Sequence, residues 1–242
     1  AYSLHPGVII TELQRNLSKF LKYLLSFFTV SIEMGVQTTL YCALEESLQN
    51  ESGFYYEKCR SDTRLDGKVV VITGANTGIG KETARELSLR GAKIIIGSRD
   101  VDRGKRAVQD IQLKNPKANI IVMKLDLSSL SSVRHFAKTV SREVSTIDIL
   151  MNNAGVMACP ESTTEEGFEM QFGTNHLGHY LLTLSLMPLL KKSPKARIIT
   201  VSSIAHMSGS IHFENINLRN KAYDPMTAYR QSKLANILFT RQ

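Results

Sequence analysis

The chain has 242 residues, enough for one sizeable domain and short for two. Its 43% hydrophobic and 21% charged residues are the balance of an ordinary globular protein, which excludes disordered, collagenous and coiled-coil chains. The net charge of +8 suits anionic ligands, nucleic acid or an acidic membrane and does not choose among them.

In chain order, the first 60 residues open with an apolar helical face at Leu17, Phe20, Leu21, Leu24, Leu25 and Phe28. The apolar run over 17–30 is interrupted by Lys19 and Lys22 and falls short of the roughly 18–20 residues of a membrane span. The opening segment, Ala1 to Gly7, lacks the basic-then-apolar pattern of a secretory leader. A second helix is expected over 31–46, a short strand over 53–56 and a polar junction over 62–68. From there strands and helices alternate. Strands are expected over 68–73, 93–97, 119–125, 147–151 and 197–201, and helices over 81–90, 101–114, 129–144, 168–190 and 227–242. The strand runs are continuously apolar, so both faces of the sheet should be covered. This predicts one α/β domain with a doubly wound parallel sheet that binds ligands at the carboxyl ends of its strands.

The first strand runs into Thr73-Gly74-Ala75-Asn76-Thr77-Gly78-Ile79-Gly80 and then a helix. Gly74 permits the tight turn, Gly78 lets backbone approach a pyrophosphate, and Gly80 lets helix and strand pack closely. Unpaired N–H groups at the helix start favour an anion. The second strand ends at Gly97-Ser98-Arg99, with no acidic residue to take the ribose hydroxyls of NAD. Arg99 suits the 2′-phosphate of NADP, with Lys81 as a further positive charge, so NADP(H) is expected ahead of NAD.

Tyr229 and Lys233 lie four apart and share a helix face. A nearby ammonium should lower the phenol's pKa and fit Tyr229 to exchange a proton with a carbonyl or alcohol oxygen. Ser203, at a strand end, would hold the same oxygen. The three cysteines, Cys42, Cys59 and Cys159, are scattered, which excludes a disulfide scaffold and shows no metal spacing. Lys and Arg are dispersed without interleaved aromatics, which argues against nucleic acid.

Together these pieces resemble the short-chain dehydrogenase/reductase family and its retinol dehydrogenase-like branch. The resemblance is carried by 73–80, Asp126-Leu127, Asn152-Asn153-Ala154-Gly155, Asn175-His176-Leu177-Gly178-His179, Val201-Ser202-Ser203 and Tyr229 through Lys233. It implies a Rossmann-type fold and a tetrad of Asn175, Ser203, Tyr229 and Lys233. Asn175 would hold a proton-relaying water, and Lys233 would also bind the nicotinamide ribose. Asn153, Ala154 and Gly155 would line the cofactor site, with Asp126 and Leu127 beside the adenine. The substrate implied is a small lipophilic alcohol or carbonyl such as a retinoid, a fatty aldehyde or a steroid. The place implied is intracellular, in the cytoplasm or on the cytosolic face of the endoplasmic reticulum membrane. A peripheral membrane contact and a homodimer stay open.

The order of the pieces departs from the family. The segment His5-Pro6-Gly7-Val8-Ile9-Ile10-Thr11 resembles a motif that the family places after the Tyr/Lys helix. Residues 1–60 resemble the family's carboxyl-terminal, substrate-covering part, and 61–242 its dinucleotide-binding and catalytic part. The chain therefore reads as a single circularly permuted domain, or as the tail of one gene copy joined to the head of the next. Pro6 and Gly7 would pass over the nicotinamide and Thr11 would bond its amide or the pyrophosphate. The new junction must cross about four strand positions, roughly 19 Å at ~4.8 Å per strand. An alternative function is a non-catalytic dinucleotide-binding or interaction protein.

Overall fold

Seven parallel strands form one sheet in the computed structural model, which describes residues 2–4, 12–16, 31–45, 55–56 and 64–241. The strands are β1 (Tyr2–Leu4), β2 (Tyr55–Tyr56), β3 (Val69–Thr73), β4 (Lys93–Ser98), β5 (Asn119–Lys124), β6 (Ile149–Asn152) and β7 (Arg197–Val201). Their spatial order is β2-β1-β7-β6-β3-β4-β5. From β3 the chain winds outward through β4 and β5. It then returns to lay β6 against the other side of β3, with Val70 opposite Ile149. That reversal makes β3/β6 the switch point, and a crevice opens there at the carboxyl ends of the strands.

The helices are α1 (Ile32–Leu44), α2 (Gly78–Leu89), α3 (Val101–Lys114), α4 (Leu130–Glu143), α5 (Met170–Phe172), α6 (Gly178–Leu190) and α7 (Pro225–Thr240). They cover both faces. One core layer joins Val36, Leu40 and Leu44 to Val70, Ile72, Ile94 and Ile96. The other joins Val71, Ile95 and Leu150 to Phe136, Val140, Leu182 and Leu186. The central strands β3 and β6 are buried throughout, as their unbroken apolar runs require, whereas β5 lies at the sheet edge with both ends exposed.

The described elements match the expected ones to within three residues at each end. Helix α2 starts at Gly78, three residues before the expected Lys81, because the glycine turn feeds straight into it. The long helix expected over 168–190 is present over 170–190 and carries a π turn at Gly173–Leu177 between α5 and α6, with αR backbone at both junctions. Of the strand expected over 53–56, Tyr55–Tyr56 is observed, and 53–54 lie outside the described residues. The helix expected over 17–30 lies outside the described residues, as do Pro6, Gly7, Thr11 and Cys59.

The first strand joins the sheet next to β7, with Ser3 opposite Thr200, and β2 pairs on its outer side. Arg197, buried at the start of β7, donates to the Cys42 carbonyl (3.2 Å) and the Glu45 carbonyl (2.5 Å) at the end of α1. A cation at a helix carboxyl terminus meets the last carbonyls and the negative end of the dipole. Between β2 and β3 the chain crosses four strand positions, and Leu65 is anchored on the far side by its N–H to the Arg90 carbonyl.

Candidate active site and cofactor groove

A groove of about 240 Å³ runs along the strand ends at the switch point. All the residues expected there from the loops line it: Gly74, Asn76, Thr77, Gly78, Ile79, Gly80, Ser98, Arg99, Asp126, Leu127, Asn153, Ala154 and Gly155. The backbone explains the glycines. Gly74 has φ +68, and a methyl there would lie 2.8 Å from Ala154 Cβ. At Gly80 a methyl would lie 2.5 Å from Asn153 Nδ2 and 2.8 Å from the Gly74 carbonyl. The loop is thus pressed against the Asn153-Ala154 turn, and Asn153 Nδ2 donates to the Thr73 carbonyl (2.8 Å).

The start of α2 fits an anionic group. Its N-cap, Thr77, makes no side-chain hydrogen bond to the first turn. In α3 and α4 the same place is closed by Asp100, which accepts from Arg103 N, and by Ser129, which accepts from Ser132 N. The N–H groups of the first α2 turn therefore lack a side-chain cap and face the groove.

Arg99 lines the groove beside Arg103, one helical turn further on. Lys81 is placed differently from expectation: its ammonium pairs with Asp110 at 2.6 Å and does not line the groove. The signal for Arg103 is its place in the first turn of α3, directly after the strand end that carries Arg99. Leu13, Arg15 and Asn16 also line the groove, and Asn16 Nδ2 donates to the Met157 carbonyl (3.1 Å). No local pattern marks these three, because they arrive from a segment distant in sequence.

The tetrad side chains converge behind the groove. Helix α7 is started by Asp224, which accepts from Thr227 N (2.7 Å), with Pro225 at its first position. It carries Tyr229 and Lys233 inward, both buried. Ser203 follows β7 and hydrogen-bonds the Tyr229 side chain. Lys233 Nζ donates to the Val201 carbonyl (3.0 Å) and lies 5.6 Å from the centre of the Tyr229 ring.

Asn175 sits in the π turn, fully buried. Its Oδ1 accepts from Val156 N (2.8 Å), and its Nδ2 donates to the Val156 carbonyl (2.9 Å) and to Ser232 Oγ (3.0 Å). A methyl on Gly155 would lie 3.2 Å from Asn175 Oδ1 and 3.7 Å from Lys233 Nζ, so that glycine is where the groove meets the tetrad.

The electrostatics correct one expectation. Burial pushes Tyr229 up to about 12, against the lowering by its Ser203 hydrogen bond. Burial also pulls Lys233 down to about 8. Loss of hydration outweighs the Ser203 bond, and Tyr229 is a stronger proton holder here than in water.

Residues 68–216 match the family model described as short chain dehydrogenase. The chain belongs to the short chain dehydrogenase family. Retinol dehydrogenase 13 of Mus musculus is 50% identical over 184 residues, which are 76% of this chain and 55% of that protein. Retinol dehydrogenase 11 of Homo sapiens is 52% identical over 184 residues, 76% of this chain and 58% of that protein. The chain thus spans a little over half the length of these curated relatives.

Among solved structures, an uncharacterised protein from Mycobacterium Paratuberculosis superposes with a TM-score of 0.64 at 47% identity, covering 74% of this chain and 62% of that one. The RhlG/NADP active-site complex of Pseudomonas aeruginosa superposes at 0.56 with 27% identity, over 71% of this chain and 64% of that one. Among the described residues, no helix is long and apolar enough to cross a membrane and no group of metal-ligating side chains occurs.

Proposed function

We propose that the chain is an NADP(H)-dependent oxidoreductase that interconverts a lipophilic alcohol and its aldehyde or ketone. The observation that carries this reading is the convergence of Ser203, Tyr229, Lys233 and Asn175 where the glycine-lined groove ends. The residues fit a dinucleotide: an α2 start without a side-chain cap for the pyrophosphate, Asp126 for the adenine, Lys233 for the nicotinamide ribose, and Arg99 with Arg103 for a 2′-phosphate. The cofactor, when bound, supplies the hydride.

In reduction, Ser203 holds the substrate oxygen by hydrogen bonding while Tyr229 passes its proton to it. The phenol then regains a proton through Lys233 and the Asn175 region. Reduction is the working direction in this reading, the one abundant cytosolic NADPH favours. Ile204 and Met207, exposed in the turn directly after Ser203, offer apolar contact to a greasy substrate.

We assign residues 1–60 the role of the family's carboxyl-terminal part, in permuted order. The placement of β1 and β2 beyond β7 supports this. We place the protein in the cytoplasm or on the cytosolic face of the endoplasmic reticulum membrane. A homodimer across α6 and α7 would use the exposed Tyr180, Leu184 and Leu238, and size-exclusion chromatography reads it directly.

A second reading is a dinucleotide-binding protein without turnover, supported by the raised Tyr229 and lowered Lys233. A thermal-shift titration separates the two. A ligand that binds only the folded state raises the melting temperature. NADPH should raise it more than NADH does, and Arg99→Ala should remove the difference. Tyr229→Phe should then abolish turnover of a medium-chain aldehyde while keeping the NADPH shift. Turnover surviving in Tyr229→Phe refutes the acid role, and an NADPH shift with no turnover of retinoid, steroid or aldehyde supports the second reading.

A further inference from the structure

His179 is almost wholly buried on α6, and the roles above do not use it. Its Nδ1 lies 2.9 Å from the Asn175 carbonyl and its Nε2 2.8 Å from Thr73 Oγ1. Thr73 is the last residue of β3, directly before the glycine loop. Its Oγ1 accepts from Asn153 N (2.9 Å) and Ala154 N (2.9 Å), so both its lone pairs are committed to the turn that faces Gly74. One imidazole thus touches the cofactor loop through Thr73 and the tetrad through Asn175.

The partners fix the ring's proton. A carbonyl can only accept, so Nδ1 carries the hydrogen. With both lone pairs of Thr73 Oγ1 filled, its hydroxyl must donate. The alternative acceptor, the Met151 carbonyl, is farther at 3.4 Å, so the hydroxyl donates to Nε2, which is therefore unprotonated. A proton added at Nε2 would face a hydroxyl with no free lone pair. Burial, which holds this ring near 4 and so neutral, agrees with that assignment.

We propose that His179 is a positioning residue: as a neutral ring protonated on Nδ1, it locks the Thr73 hydroxyl and the Asn175 carbonyl together and so holds the cofactor loop in register with the tetrad. The cofactor side of this inference rests on the dinucleotide reading above. The ring's side does not.

Two measurements test it. The first uses the unmodified protein, labelled with ¹⁵N-histidine. Two-bond ¹H–¹⁵N spectra at pH 7 should show one buried ring with Nδ1 protonated and Nε2 bare. A ring protonated on Nε2, or on both nitrogens, overturns the proposal whether or not NADPH binds.

The second splits the two contacts. His179→Asn keeps a donor near the Asn175 carbonyl and removes the partner of Thr73. His179→Gln keeps an acceptor near Thr73 and releases Asn175. NADPH dissociation constants are read by nucleotide fluorescence at 10 °C. The Asn variant should bind about ten-fold more weakly, and the Gln variant within about two-fold of the unmodified protein. Equal losses of melting temperature with unchanged NADPH affinity in both variants would reduce the ring to core packing and overturn the proposal. If the unmodified protein does not bind NADPH, the dinucleotide reading fails, and the ring's tautomer still decides the lock.

Discussion

Replacing Arg197 by Met tests whether the amino-terminal segment is held on the sheet as described. Arg197 is 8% exposed, and its guanidinium donates to two carbonyls at the end of α1. Hydrogen bonds from a charged group are worth about 1.5–3 kcal/mol each. The two losses are unequal. Cys42 is fully buried and its carbonyl would lose this partner, whereas Glu45 is partly exposed and its carbonyl can recover water. Removing a buried charge returns part of the cost of dehydrating it. The net expectation is a destabilisation of about 2 kcal/mol, or about 4–8 °C in melting temperature for a domain of this size. The assay is a thermal melt of the purified protein, monitored by circular dichroism. The contact sits at the amino end of β7, opposite the groove, so the NADPH-induced shift should persist. A melting temperature within 1 °C of the unmodified protein would refute the docking, because a helix end held by this arginine cannot lose it without effect.

Gly80→Ala should weaken NADPH binding at least ten-fold. The added methyl would sit 2.5 Å from Asn153 Nδ2 and break its bond to the Thr73 carbonyl, an overpacking cost of about 1–3 kcal/mol, and fluorescence titration reads it. Acid should destabilise the fold through His179. The ring protonates near 4 when folded and near 6.5 when unfolded, so its contribution is complete above pH 6.5. It falls by about 3 kcal/mol in all as pH drops toward 4. Lys233 and His176 both disfavour the ring's positive charge and work in the same direction. Urea melts of the unmodified protein and His179→Gln between pH 4 and 7 should diverge, with the shallower slope in the variant; parallel slopes would refute the assignment.

The sheet, its winding and the groove were legible because apolar runs, glycine turns and helix caps are local signals. The strand over 197–201 and the helix over 101–114 match residue for residue, and Asp100 explains the latter: a capping side chain sets a sharp start. Where the sequence misled, a distant contact won. The π turn at Gly173–Leu177 is held by Asn175 bonding to Val156, a loop residue no periodicity reports. Lys81 looked available to a phosphate until α3 brought Asp110 against it. Tyr229 and Lys233 were placed on one helix face correctly, but spacing carries no measure of burial, and burial decides their proton affinities.

The pairing of β1 with β7 has a consequence for how the chain reaches this state. Leu4 accepts from Ser202 N (2.9 Å), a bond that closes residues 4–202 into one loop. Contacts this remote in sequence carry a large closure entropy and form slowly. β1 therefore joins the sheet late, after the local contacts of β7 have formed. Until it does, β7 presents a bare ladder edge beside an incomplete core, the kind of surface on which folding chains pair with one another. The yield of soluble protein on dilution from denaturant should accordingly fall steeply with chain concentration.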